Sequence, residues 1–306
     1  MTPRHTLLAL LVVLIWGLNF VVIHIGLAGV PPILFAALRF VVLLPALLFV
    51  PRPDVGWRGL ASVGLLMSAG QFGLLYLAMS VGLPAGLASL VLQAQVLLTV
   101  LFAALVLGER PRPVQLGGVL IGVIGLVVVA VGRQAATPLI SLLIVLGAAM
   151  SWAAGNVAAR RLRSTSGLGL VVWGSLFVPL PLLALSLVFE GPARIGDALM
   201  HFTVSAAWST AYTAVLSTLV CYGIWNTLLA RYRAADVVPF TLLVPVVGMA
   251  SAAFFLGERP NLVELIGGLI LLVGVAIAVI RLSPPARPAS QENSPHTLML
   301  PNASRP

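Results

Sequence analysis

The chain has 306 residues, of which 60% are hydrophobic and only 8% are charged, and its formal net charge is +9. A soluble domain carries about 25% charged residues on its surface, so this composition excludes a soluble protein and indicates a chain that folds in lipid. All 17 lysine or arginine positions hold arginine. The arginines separate apolar runs instead of clustering on a polar domain, which is typical of topology determinants and argues against nucleic-acid binding.

Apolar runs between glycine, proline and charged breaks predict ten transmembrane helices, since a spanning helix takes about 20 residues. The first run follows Arg4 and His5 as in a signal peptide, but it continues to about Ala28 and is too long for one. We therefore expect a retained first helix. In chain order, the predicted spans are residues 7–28, 31–50, 59–82, 84–107, 114–132, 138–159, 168–189, 204–229, 236–256 and 262–281.

The distribution of arginine predicts the orientation of these spans. With the N-terminus inside, thirteen arginines fall on the inner side and three, Arg133, Arg194 and Arg259, on the outer side. Because loops that stay in the cytoplasm are enriched in arginine, both termini are expected there, in a multi-pass protein of the bacterial inner membrane. Residues 282–306 are rich in proline, serine and asparagine and are predicted to form a disordered cytoplasmic tail.

An internal repeat divides the chain into two halves. Residues 107–125, LGERPRPVQLGGVLIGVIG, align without gaps on residues 256–274, LGERPNLVELIGGLILLVG, 149 positions later. A looser echo links the Trp16–Asn19 segment with the Trp152–Asn156 segment. The repeat predicts two five-helix units, residues 1–133 and 138–281.

The odd number of spans in each half has a topological consequence. The second half must cross the membrane in the opposite sense, which gives an all-α membrane protein built from two inverted five-helix repeats. Inverted repeats are a common plan in secondary transporters, because exchanging the conformations of the halves exchanges inward and outward openings. The repeat therefore favours transport as the function.

Polar side chains near the middle of the spans are the candidates for a substrate site, because such groups are costly in lipid and face the protein interior. Amides and indoles offer hydrogen bonds without a fixed charge, which suits a small zwitterionic or polar solute. The alternative is that they join helices by hydrogen bonds, and Trp225 is as compatible with an interface anchor. The candidate residues are Trp16, Asn19, Gln71, Gln93, Gln95, Trp152, Asn156, Tyr222 and Asn226.

Two further residues are candidates for charge or proton coupling. Arg39 is the one ionised group deep within a predicted span, where it either binds a substrate carboxylate or fixes the fold through backbone carbonyls. His24, near the outer end of the first helix, can titrate near neutral pH or simply be packed or solvated. Glu109 and Glu258 are interpreted as groups that pair at helix ends and loops.

Enzymatic signatures are lacking in the sequence. It contains no H-E-x-x-H, G-x-S-x-G or Walker A motif, and no paired carboxylates lie within the predicted spans. Its one cysteine, Cys221, provides neither an internal disulfide nor a metal cluster. We therefore predict a protein that is not an enzyme and has no cofactor or metal; its partners are membrane lipid and a small-molecule substrate, with a homodimer left open.

The paired halves, each ending in LGERP and a glycine-rich helix, resemble the EamA-type branch of the drug/metabolite transporter superfamily over nearly all of residues 7–281. Four stretches are more similar still to one group in it, the bacterial O-acetylserine/cysteine exporters. They are LLVVLIWGLNFVVIHIGL (10–27), PAGLASLVLQAQ (84–95), YGIWNTLLARY (222–232) and LLVPVVGMASAA (242–253).

The resemblance implies export of cysteine-pathway metabolites or other small amino acids from the cytoplasm, by alternating access driven by a gradient. Of the candidate residues, Trp16, Asn19, Gln93, Gln95, Trp152 and Asn156 fall inside matching motifs. Broad efflux of amphipathic compounds is a second hypothesis, favoured by the aromatic candidates. A non-transporting receptor or scaffold is a third, which requires a soluble output domain that the predicted spans leave no room for.

Overall fold

The computed structural model describes residues 1–133, 137–164 and 166–279, and every regular element in these residues is a helix. The predicted tail, 282–306, lies outside the described residues, as do residues 280 and 281 at the end of the predicted second repeat. In chain order, the helices of more than five residues are α1 (Pro3–Leu27), α2 (Pro32–Leu48), α3 (Trp57–Ser80), α4 (Ala85–Leu107), α5 (Pro113–Gly132), α6 (Leu139–Leu162), α7 (Gly167–Phe177), α8 (Pro179–Phe189), α9 (Pro192–Met200), α10 (Val204–Arg231), α11 (Val238–Leu256) and α12 (Leu262–Val279), and one helical turn, Ala234–Val237, precedes α11.

Eight of the helices in the described residues are long and apolar enough to span a membrane, and the ten-span prediction differs from them in two places. The predicted span 31–50 is the shorter helix α2, whose last turn, Leu44–Leu48, is a 3₁₀-helix that contains a proline. The predicted span 168–189 is the pair α7 and α8, which meet at an angle of 42°. Proline lacks a backbone N–H and clashes with the preceding turn, so Pro45 and Pro179 account for both irregularities.

Helix α9 was not predicted. The Pro192–Met200 segment falls in a predicted loop, and its sequence is too short and too polar to register as a span. It inserts extra residues between α8 and α10. As a result, the spacing between related positions in the two halves changes from 136 residues, as for Trp16 and Trp152, to 149 residues after it.

The two halves share departures from regular α-helix at related positions. Helix α3 contains a π-helical segment, Gly64–Gly70, and α10 contains another, Tyr212–Val220. These segments coincide when the halves are offset by 149 residues. The break in α4 at Leu92 and Gln93 likewise coincides with the 3₁₀ turn that begins α11. Short π-helical segments are frequent at functional sites, and both of these border the cavity described below.

Helices α5 and α12 pack through glycines so closely that the contact leaves no room for a side chain. A Cβ atom on Gly125 would lie 2.4 Å from the backbone nitrogen of Leu271, and one on Gly118 would lie 2.6 Å from that of Ala278. The earlier residue of α5 therefore contacts the later residue of α12, so the two helices run antiparallel. The LGERP segments that precede them lie at opposite ends of the molecule.

Hydrogen bonds at both ends of this helix pair agree with the antiparallel arrangement. The amide Nδ2 of Asn261, just before α12, donates to the carbonyl of Gly132 at the end of α5 at 2.6 Å. At the other end, Gln115 Nε2 donates to the carbonyl of Ala278 at 3.3 Å. Beside this pair, α1 packs along α10 and α11, and α6 packs along α3 and α4. These helices enclose the interior of the molecule.

Substitution of Gly125 by alanine tests the close contact between α5 and α12. The added methyl group meets backbone atoms, which cannot move aside as a side chain can. We expect Gly125→Ala to lower the free energy of unfolding by about 1–3 kcal/mol, the usual cost of overpacking. The measurement is the unfolding transition of the purified protein in detergent micelles.

The matched control is Gly117→Ala on the same helix, where a Cβ meets nothing within 4 Å. Because alanine is the better helix former, this variant is expected to be as stable as the wild type or more stable. Equal stability of the two variants would contradict the proposed tightness of the helix contact.

Candidate functional site

A cavity of about 440 Å³ lies between the two halves of the chain. Sites for small molecules commonly have about 300–1,000 Å³, so the volume suits a metabolite. All nine residues predicted from the sequence to bind substrate line it, namely Trp16, Asn19, Gln71, Gln93, Gln95, Trp152, Asn156, Tyr222 and Asn226. Spacing on separate helices pointed to these side chains, and the fold brings them to one place.

Aromatic rings form one wall of the cavity. The centre of the Trp16 ring lies 5.6 Å from that of Tyr222 and 5.4 Å from that of Trp225. The indole Nε1 of Trp16 donates to the carbonyl of Ser217 at 2.9 Å, within the π-helical segment of α10. Trp225 is buried here and does not stand at the surface as an interface anchor. The sequence left both roles open, because an aromatic residue near a helix end has the same sequence pattern in each.

Some of the amides join helices, as the alternative interpretation expected. Asn156 Nδ2, on α6, donates to Gln95 Oε1 at 2.9 Å and to Thr99 Oγ1 at 3.3 Å, both on α4. Gln93 Nε2 donates to the carbonyl of Thr241 on α11 at 3.2 Å. These bonds hold the broken helix α4 against both of its neighbours, while the side chains still face the cavity.

Other polar atoms of the lining have no partner within the described residues. They are Asn19 Oδ1, Gln71 Oε1, Trp152 Nε1 and Arg39 Nε, all shielded from solvent. An unpaired buried donor or acceptor costs about 1–3 kcal/mol. Because the four residues that carry these atoms line one cavity, the arrangement favours a polar occupant that offers both donors and acceptors.

Arg39 is the charged residue of the lining and is only 1% exposed. Its Nη1 donates to the hydroxyl of Tyr76 at 3.2 Å and its Nη2 to Thr218 Oγ1 at 2.8 Å. The guanidinium carbon lies 3.8 Å from the centre of the Phe72 ring, a cation–π contact. These contacts are to side chains, so the predicted role of fixing the fold through backbone carbonyls is not seen in the described residues. His24 is exposed and does not line the cavity.

Carboxylates lie at the helix ends beyond the cavity, in the positions expected from the sequence for Glu109 and Glu258. The carboxylate of Glu258 accepts hydrogen bonds from the backbone N–H groups of Ala85 at 2.6 Å and Gly86 at 2.9 Å, at the start of α4. Glu109 pairs with Arg160 at 3.1 Å. No group of three potential metal ligands occurs within the described ranges.

Glu190 is a helix-end group that the sequence analysis did not single out. It accepts from the backbone N–H groups of Ile33 and Leu34 at 2.6 and 3.0 Å, at the start of α2. A lone acid in a predicted loop gives no signal for a contact with a helix more than 150 residues away, so only the fold reveals it.

Comparison with known proteins places the chain in a family. The model of the EamA-like transporter family matches residues 4–131 and again residues 139–280. A protein of Escherichia coli (strain K12) named "Probable amino-acid metabolite efflux pump" is 41% identical over 92% of this chain and 97% of its own length. A protein of the same name from Salmonella typhimurium (strain LT2) is 43% identical over 91% of this chain and 96% of its own.

A more distant relative, from Streptantibioticus cattleyicolor, is named "Probable terminal-alkyne amino-acid exporter"; it is 30% identical over 87% of this chain and 90% of its own length. One solved crystal structure with 23% identity superposes with a TM-score of 0.58 over 91% of this chain and 97% of the other, which shows the same fold. The chain belongs to the EamA-like transporter family, and its central cavity is therefore that of a membrane transporter and not of an enzyme.

Proposed function

We propose that this protein is an inner-membrane secondary transporter that exports O-acetylserine, cysteine or related small amino-acid metabolites by alternating access. The observation that carries the proposal is the cavity between the two halves, whose lining offers unpaired hydrogen-bonding atoms beside an aromatic wall. The names of the relatives from Escherichia coli and Salmonella typhimurium support amino-acid metabolites as the substrate class and efflux as the direction.

The proposal includes ten spans in two inverted repeats, residues 1–133 and 138–281. Helix α2 has 17 residues and at 1.5 Å per residue is about 25 Å long, which a slightly thinned bilayer accommodates. The bent pair α7 and α8 serves as one further span. The antiparallel contact of α5 with α12 supports the inversion, because these helices occupy the same place in their respective halves.

Contacts between distant loops support the proposed topology, and the distribution of arginine supports its orientation, with both termini in the cytoplasm. On the proposed inner side, His5 Nδ1 lies 2.7 Å from the hydroxyl of Tyr232, and Arg160 pairs with Glu109. On the proposed outer side, Glu190 and Glu258 bind the starts of α2 and α4. Each of these pairs joins segments that the topology places on the same side of the membrane.

Alternating access is supported by the unequal state of two related glutamates. Glu109 and Glu258 occupy the same position of the LGERP repeat, 149 residues apart. Glu258 caps the start of α4 on the outer side, whereas the side chain of Glu109 is 51% exposed and pairs with Arg160. In the proposed cycle, the contact of Glu258 with α4 closes the outer end of the cavity in this structure. The Ala234–Val237 segment is the counterpart of the start of α4 in the second half. The inner end of the cavity closes when Glu109 caps the start of that segment.

Broad efflux of amphipathic compounds is the second candidate function. The wall formed by Trp16, Tyr222 and Trp225 favours it, because aromatic faces bind apolar groups with little selectivity. A substrate panel that includes amphipathic dyes distinguishes this function from amino-acid export.

A flux measurement tests the proposed substrate class. Cells that overproduce the protein are expected to release O-acetylserine and cysteine faster and to tolerate an excess of both. Reconstituted vesicles are expected to show the same substrates moving, and an imposed pH gradient reports coupling to protons. Release and tolerance equal to those of cells with an empty vector, with the protein present in the membrane, would refute amino-acid export.

Two variants test whether the cavity carries the flux. Asn19→Leu and Gln93→Leu replace buried amides of the lining with apolar side chains of similar size. We expect both proteins to insert normally and to transport at least about tenfold more slowly, because a transported polar group loses a hydrogen-bond partner worth about 1–3 kcal/mol.

The matched control is Thr227→Val on α10, whose hydroxyl is exposed and donates only to the carbonyl of Gly223 in its own helix. It is expected to transport at the wild-type rate. Wild-type rates in both amide variants would place the substrate path elsewhere.

A cysteine-labelling experiment tests Glu258 as the outer closure. Replacing the one cysteine, Cys221, by serine and introducing Thr137→Cys places a thiol among the buried residues next to Glu258. A helix N-cap is worth about 0.5–2 kcal/mol, so Glu258→Gln is expected to raise the rate of labelling by an impermeant maleimide about twofold to thirtyfold.

The control for this experiment is Asp197→Asn, an acid on the proposed outer side that pairs only with His201 and is 74% exposed. It is expected to leave the labelling rate unchanged. An unchanged rate in Glu258→Gln as well would remove the closure from the proposed cycle.

A further inference from the structure

Arg39 is a cation that the described protein leaves without a countercharge. The guanidinium has five N–H groups, and the hydroxyls of Tyr76 and Thr218 account for two of them. The Nε–H has no partner. Buried charges in proteins are normally paired, because an isolated ion loses its hydration without compensation. The contacts of Arg39 with the Phe72 ring and two neutral hydroxyls compensate only part of the hydration free energy that the guanidinium loses on burial.

Every acid in the described residues has another place in the fold. Glu190 and Glu258 cap helices, and Glu109, Asp197 and Asp236 form ion pairs with residues other than Arg39. Glu264 accepts from the backbone N–H of Asn261, and Asp54 lies in an exposed loop. None of these acids lines the cavity. Within the described residues, no acid therefore supplies the negative charge that would balance Arg39.

We propose that Arg39 is the carboxylate-binding residue of the cavity, which deepens the proposed function and rests on it. The substrate carboxylate binds the free Nε–H face of the guanidinium, whose planar fork matches two carboxylate oxygens. Trp152 Nε1 is a further unpaired donor on the same cavity. The unpaired oxygens Asn19 Oδ1 and Gln71 Oε1 then accept from the substrate ammonium group.

The repeat shows that this subsite belongs to one half only. With the spacings of 136 and 137 residues that separate Trp16 from Trp152 and Asn19 from Asn156, the position related to Arg39 is Ser175 or Leu176, and neither residue is charged. Ser175 is fully buried, and its hydroxyl donates to the carbonyl of Val172 in its own helix. A single cation in an otherwise neutral lining gives the substrate one orientation, with its carboxylate toward α2. The transporter accordingly selects molecules with a free α-carboxylate.

Binding measurements on the purified full-length protein test this assignment. The probes are L-cysteine, L-cysteine methyl ester, and cysteamine, which lacks the carboxylate, titrated under reducing conditions and followed by quenching of the cavity tryptophans. The wild type is expected to bind cysteine about tenfold to a hundredfold more tightly than the other two, the range for a hydrogen bond to a charged group. Arg39→Gln is expected to bind all three with similar, weak affinity.

Two further variants keep the test informative. Arg39→Lys keeps the positive charge but lacks the planar guanidinium that can donate two hydrogen bonds to one carboxylate. This variant is expected to retain the preference for cysteine while binding it about tenfold more weakly. Arg52→Gln is the matched control, because Arg52 also stacks on an aromatic ring, 4.0 Å from the centre of Trp57, but lies outside the cavity. Its affinities are expected to equal those of the wild type, and thermal unfolding of each variant verifies that it is folded.

The outcomes separate the subsite from the proposed function. If Arg39→Gln is folded and still prefers cysteine to its ester, Arg39 does not bind the carboxylate, although amino-acid export stands wherever the flux measurement finds it. If Arg39→Gln does not fold, a wild-type affinity and preference in Arg39→Lys overturns the assignment, and a weakened affinity supports it. If the wild type exports no amino acid but binds propionate in a manner that depends on Arg39, the subsite stands and the proposed substrate is wrong.

Discussion

The structure depends on the cost of leaving polar groups unpaired in an environment without water. In a chain with 60% hydrophobic residues, lipid or apolar protein surrounds nearly every helix. The amides and the guanidinium near the middle of the spans therefore turn inward, where other parts of the protein can pair with them. Asn156, Gln95 and Gln93 find partners on neighbouring helices, whereas Asn19, Gln71, Trp152 and Arg39 each keep one atom unpaired at the same cavity. The unpaired set explains why the interior is both organised and receptive to a solute.

The same cost makes small residues valuable where helices cross. Glycines let α5 and α12 approach until their backbones touch, and this contact joins the two helices as an antiparallel pair. The two halves also share departures from regular α-helix, such as the π-helical segments of α3 and α10. A helix with a local change of hydrogen-bond register is easier to bend than a regular one. The fold therefore combines a tightly packed contact between α5 and α12 with irregular helical segments next to the cavity.

The two related halves differ at two functional positions, the glutamate of the LGERP repeat and Arg39. Glu258 caps a helix, while its counterpart Glu109 is half-exposed and bound to Arg160. Arg39 has no charged counterpart, since Ser175 and Leu176 occupy the related positions. The first difference is one of conformation, since both halves carry the same residue, and in the proposed cycle the two halves exchange states. The second is one of sequence, so it is the same in every state of the proposed cycle, and the proposed carboxylate subsite keeps one orientation of the solute.

The amino-acid sequence by itself determined the class of protein, the repeat and the set of candidate residues, because each of these depends on local composition or on self-similarity. The positions of Trp16 and Asn19 on one helix face, and of Gln93 and Gln95 in mid-span, were sufficient to predict an inward-facing set. Only the tertiary structure decided which of these groups are paired, that Trp225 joins the aromatic wall, and that His24 does not line the cavity. It also decided that α2 is short, that α7 and α8 meet at an angle, and that no carboxylate of the described residues pairs with Arg39. These features arise from contacts between residues far apart in the chain, and hydropathy, which averages over neighbours in sequence, carries no information about them.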